Sequence, residues 1–185
     1  MQSFLKKTSF VAAGLGIIGA SLFFGNLDGA HAAVKEGQKF EDWVANCTVD
    51  DKNKSICLIS QQVSTTPKGD EKPQLVSMYQ FGYFTQGKEK KLKSIITVGA
   101  NINVPAGTAF IISAKDPKNN KVLGYGKFIS CSQGFCQSVA EISEDDLSAM
   151  LKSSVTYVGI LNVEGKQVNF PFSSKGLKEG LAVLK

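Results

Sequence analysis

The 185-residue chain contains no arginine, and its one histidine stands at position 31. All 21 cationic residues are therefore lysine, set against 16 acids for a net charge of +5. Each scarcity excludes something. Without an imidazole in the body of the chain, Ser-His-Asp and Cys-His catalysis lack their base. The common zinc sites lose their His ligands for the same reason, and no cofactor is expected. Without a guanidinium, two-point recognition of phosphate or guanine is impossible, so nucleic acid is not an expected partner. No hydrophobic run beyond the first thirty residues is long enough to span a membrane. What remains, 43% apolar and 20% charged, is globular composition.

The N-terminus reads as an address. Lys6 and Lys7 precede an uncharged run, Phe10–Phe24, and Ala30-His31-Ala32 offers small residues at the two positions a signal peptidase reads. Cleavage before Ala33 is the expectation; an uncleaved anchor is the alternative, since 18 residues from Phe10 to Leu27 carry no charge. Cleavage would remove residues 1–32 with the only histidine and leave 153 residues holding 19 lysines and 15 acids, a net charge of +4. A chain of that size buries about 68–70% of its unfolded surface, enough for one core over residues 33–185.

Four cysteines behind an export signal read as two disulfides. Three pairings are possible. Local pairing, Cys47 with Cys57 and Cys131 with Cys136, is favoured because reversal residues lie in both stretches, Asp50–Asn53 and Ser132-Gln133-Gly134. The spacing between Cys131 and Cys136 does not match the redox C-x-x-C motif.

Nine short segments rich in β-branched and aromatic residues predict strands: 40–48, 56–64, 74–84, 92–98, 108–115, 121–129, 137–142, 155–164 and 167–173. Within the third, Leu75, Ser77, Tyr79, Phe81 and Tyr83 share one face, and the aromatics there read as core. Regular spacing and turn-rich connections at Asp116–Asn120 and Asn162–Lys166 indicate a mainly β fold, a two-sheet β-sandwich or a barrel, of which the sandwich is the expectation. One short helix follows Ser143, a natural N-cap. Glu144, Asp145 and Asp146 fill its first turn, and Leu147, Met150 and Leu151 form an apolar face. Ser174–Leu184 is expected to make a short helical turn.

Candidate sites are few. Lys88, Lys90, Lys91 and Lys93 form the densest basic run and could meet an anionic surface; the plainer reading is a solvated hairpin tip guarding a sheet edge. Trp43 is expected to pack on the first disulfide. Gly124-Tyr125-Gly126-Lys127 lacks the helix and hydroxyl of a phosphate loop. Asn53-Lys54-Ser55 matches a glycosylation sequon, which matters only in a eukaryotic secretory route.

Asp42-Trp43-x-x-x-Cys47, Cys57-Leu58-Ile59-Ser60-Gln61-Gln62, Cys131-x4-Cys136, the helix at 143–152 and the closing Phe172–Leu177 with Gly180-Leu181 together resemble the bacterial invasion-associated locus B family. Glu41 departs from the glycine usual before Asp-Trp, and Gly134 stands one place early. The resemblance implies an exported proteobacterial β-sandwich, with Trp43 and the cysteines structural, and no enzymatic activity or cofactor to carry over. The expected role is promotion of erythrocyte invasion by binding an unidentified protein or anionic surface partner, with membrane contact only through an uncleaved signal or peripherally. The alternative is a periplasmic accessory or assembly protein acting indirectly. An enzyme built on Glu141, Asp145 and Asp146 is the third and least favoured class.

Overall fold

A computed structural model describes residues 34–49, 55–65, 74–99, 101–112, 120–153 and 155–185. The signal segment, the reversal at 50–53 with the first two residues of the sequon, residues 113–115 of the strand expected at 108–115, and most of the 116–120 connection lie outside them. No helix among the described residues is long and apolar enough to cross a membrane.

Ten strands form: β1 Lys39–Phe40, β2 Trp43–Val49, β3 Ser55–Thr65, β4 Gln74–Gln86, β5 Glu89–Gly99, β6 Thr108–Ile112, β7 Lys121–Ser132, β8 Phe135–Glu141, β9 Thr156–Leu161 and β10 Gln167–Phe172. Helix α1 is Glu144–Lys152 and helix α2, over the segment expected to turn at the C-terminal end, is Leu177–Ala182. The segment expected as one strand at 40–48 is split. Glu41 takes a positive φ of 51°, which turns the chain between β1 and β2 and pairs Phe40 with Trp43. The glycine usual before Asp-Trp has a physical reason here, because that position is left-handed.

The expected two sheets are joined into one. Hydrogen bonding runs without a break through β1-β2-β3-β4-β5-β8-β7-β6-β9-β10, every neighbour antiparallel. Strand β7 is the fold line. Its first half pairs with β6 as far as Gly126, opposite Thr108, and its second half pairs with β8 from Lys127, opposite Val139. A glycine within a strand marks such corners, because no side chain obstructs the bend. At Gly126 a Cβ would overlap the hydroxyls of Ser138 and Thr108. Those two buried hydroxyls instead meet at 2.7 Å across the vacant space.

Folding brings the two halves face to face around an aromatic cluster. Trp43, Tyr79 and Phe81 come from one half, Phe110 and Phe172 from the other, with ring centroids 5.2–6.2 Å apart. All five are buried, as the alternation in β4 anticipates for Tyr79 and Phe81. Such ring pairs contribute about 0.5–1.5 kcal/mol each beyond area burial.

The outer side of β10 is tied down by side chains rather than by another strand. The Trp43 Nε1–H donates to the Ser173 carbonyl at 2.9 Å, and Gln61 Oε1 accepts from the Ser173 amide at 2.8 Å. Ser77 donates to the Tyr79 hydroxyl at 3.0 Å, which donates to the Phe170 carbonyl at 3.2 Å. Helix α2 closes the end beside β1. Gly176 precedes it at φ 79°, and a Cβ there would strike the Phe40 carbonyl.

Candidate functional site

Both disulfides pair locally, Cys47 with Cys57 and Cys131 with Cys136. Each joins residues directly opposite on neighbouring strands, with Cα atoms 4.0 Å apart. The second is closed by the turn Gln133-Gly134, both at positive φ. All four cysteines are therefore tied up, and none is free. Trp43 does not rest on the first disulfide. Four strand residues, at about 3.3 Å each, carry Cys47 away from it, and its ring contacts are Phe81 and Phe172.

The acidic helix start is a capping device. Ser143 Oγ accepts from the Asp146 amide at 3.0 Å and donates to the Asp146 carboxylate at 2.7 Å. Glu144 and Asp145 are exposed beside the positive end of the helix dipole. Glu141 is taken by Lys91, at 2.9 Å. Of the three acids named for catalysis, Asp146 is held in the cap and Glu141 in an ion pair, while Asp145 is exposed at the helix start. Among the described residues no group of three His, Cys, Asp or Glu could hold a metal ion.

The basic run does not form one patch. Lys88 stands in the exposed β4–β5 turn. Strand alternation puts Lys91 and Lys93 opposite the core side, where Lys93 lies in register with Glu141. The Glu141 carboxylate, by hydrogen bond and by charge, holds the Lys91 ammonium above its usual pKa. Lys90 leans the other way, its Nζ 3.5 Å from the Lys185 carbonyl. The tip does stand at an edge: β4 pairs with β3 only as far as Phe81 and β5 with β8 only from Lys93, so beyond these points the hairpin pairs with itself alone.

A groove of about 1040 Å³ opens between α1, the adjoining ends of β5 and β8, and the C-terminal residues. Lys90 and Lys91 line it, joined by Lys152, Lys178 and Lys185. Its floor is apolar: Leu92 and Ile142 are buried, while Tyr83, Leu147 and Leu151 are half-buried. Of the helix face expected in the core, only Met150 is fully covered. The Lys185 ammonium sits 5.8 Å above the Tyr83 ring. Tyr83, expected in the core, is half-buried at the wall, and Lys152, expected only to close the helix at its C-terminal end, is joined by Lys178 and Lys185, which no sequence pattern singled out. Three distant segments build this site, and no local pattern links them.

The family model described as Invasion associated locus B (IalB) protein matches residues 43–185. No curated protein matches the chain. Among solved structures, the chain is similar to the crystal structure of invasion associated protein B from Bartonella henselae, with a TM-score of 0.61 and 13% identity. That likeness covers 80% of this chain and 92% of the other, and at such identity it speaks for the fold.

Proposed function

The chain belongs to the invasion associated locus B family, and on that premise we propose that it is an exported, non-enzymatic factor promoting host-cell invasion, with the erythrocyte as target, by binding a surface partner. Family membership over residues 43–185 is the observation that carries the reading. The Bartonella protein of similar fold is itself named for invasion. Other features agree with it. An N-terminal export pattern and two disulfides suit an oxidising compartment. Beyond residue 31 the chain offers neither His nor Arg for chemistry, and its solvent-facing cations are lysines. Contact with membranes, on this reading, is peripheral or through a retained signal segment.

Cell fractionation combined with a pull-down from erythrocyte membranes tests the proposal. The expected result is protein in the envelope or secreted fraction and saturable binding to the membranes. Confinement to the periplasm with no host binding would overturn adhesion and leave an accessory envelope role.

A further inference from the structure

We propose that the groove between α1 and the C-terminal segment binds a single-chain lipid with an anionic head, a long-chain fatty acid, its carboxylate among the rim lysines and its tail along Leu147 and Leu151. The inference stands apart from the invasion reading, because a periplasmic protein could carry the same site. Its first support is charge. Five lysines line the groove against two acids, Glu141 and Glu144. Lys91 and Glu141 neutralise each other and Lys90 is engaged by the Lys185 main-chain oxygen, so Lys152, Lys178 and Lys185 face one remaining side-chain carboxylate, Glu144. An ammonium is a compact point charge that meets a carboxylate without the geometric demands of a guanidinium.

The second support is the floor. Leu147 and Leu151 stand one helical turn apart on a single face of α1, and each is only half-buried although Met150 anchors the helix. Leu92 and Ile142 continue the apolar surface, and Tyr83 bounds it. β5 pairs with β8 only from Lys93 onward, but the Ile142 amide donates to the Leu92 carbonyl at 2.9 Å and α1 bonds internally, so the floor along Leu92, Leu147 and Leu151 is mainly side chain. An acyl chain asks no hydrogen bond of such a surface.

Shape is the third. The lysines line a concavity of about 1040 Å³, just above the range of roughly 300–1,000 Å³ usual for small-molecule sites. A flat bilayer would touch the rim and leave the apolar floor empty. A second depression of about 510 Å³ lies on the far side of Tyr83 and Lys90.

Titration of the signal-free protein with monomeric palmitate, followed by calorimetry, tests the site. Saturable one-to-one binding is expected, and the methyl ester of palmitate should bind several-fold more weakly. Leu151→Glu puts a charge against the tail and should reduce affinity at least about tenfold. Ser148→Trp, at another lining position, should plug the groove and abolish binding without removing an apolar contact; near-UV circular dichroism verifies that either variant is folded. Lys178→Glu with Lys185→Glu should cost about threefold, as befits exposed charges. No saturable palmitate binding, or binding indifferent to Ser148→Trp, would overturn the proposal. Binding to anionic vesicles or to an acidic peptide in place of the monomeric lipid would overturn it equally.

Discussion

Replacing Gly126 by alanine probes the fold line directly. Gly126 is absent from the glycines held at positive φ, so alanine meets no conformational obstacle, and in an unhindered strand the change would be mildly stabilising. Here the new methyl overlaps the Ser138 and Thr108 hydroxyls and stands 3.2 Å from the Val139 carbonyl. Thr108 and Ser138 are 2% and 0% exposed, so neither can swing into water. Overpacking of this kind costs about 1–3 kcal/mol, and parting two buried hydroxyls that bond at 2.7 Å adds about 1–3 kcal/mol. A central value of about 4 kcal/mol corresponds, at about 2–4 °C per kcal/mol for a chain of this size, to a loss of about 8–16 °C in Tm.

Thermal and urea unfolding with the disulfides intact measure this. The decisive comparison is the same substitution in a Thr108→Ala, Ser138→Ala background, where the obstructing atoms are gone and alanine at 126 should cost less than about 1 kcal/mol. A change within about 0.5 kcal/mol in the native background would refute the steric account. Equal costs in the two backgrounds would refute it as well, by showing that the penalty arises elsewhere.

Other perturbations follow from the same structure. Burial pushes the Tyr79 phenol up to about 12, with the Ser77 hydrogen bond pulling weakly the other way. The unfolded chain therefore loses that proton near pH 10 while the folded one keeps it. Stability is fully present below pH 10 and falls by roughly 3 kcal/mol towards pH 12. Tyr79→Phe should flatten that part of the alkaline unfolding curve relative to wild type, while costing about 1–2 kcal/mol at neutral pH by stranding buried Ser77. Removing the Cys47–Cys57 bridge should cost about 3 kcal/mol and removing Cys131–Cys136 about 2 kcal/mol, ordered by loop length and measured by urea titration of Ser pairs. Glu41→Gly relieves a non-glycine residue at φ 51° and should raise stability by about 1 kcal/mol, seen as a higher Tm.

The features legible in the sequence are those whose cause is local. Alternation over 75–83 gave the buried face of β4 because a strand's two sides are set by parity alone. The Ser143 cap, the Gln133-Gly134 turn and the Asn162 turn, whose side chain accepts from the Glu164 and Lys166 amides, each depend on a few consecutive residues. The strand order β5-β8-β7-β6-β9 depends instead on which distant strands bury one another; Gly126 marks the corner within Lys121–Ser132, but nothing local says which partners its two halves take. Trp43 illustrates the same limit. Four residues separate it from Cys47 in the chain, yet its packing partner Phe172 and hydrogen-bond partner Ser173 arrive from β10 and just beyond.

The lysines make the functional consequence concrete. A run of cations from 88 to 93 looks like a site because its members are neighbours in sequence. Strand alternation and the Glu141 ion pair disperse it. The charge cluster that survives folding draws Lys90 from β5, Lys152 from the end of α1, and Lys178 and Lys185 from α2 and beyond. They converge because α1 and the C-terminal segment reach the same end of the folded sheet. Topology also sets apolar side chains between these charges, as a linear basic run does not. It is that combination of a paired, apolar floor with an excess of ammonium groups around it that favours a discrete amphiphile over a merely anionic surface.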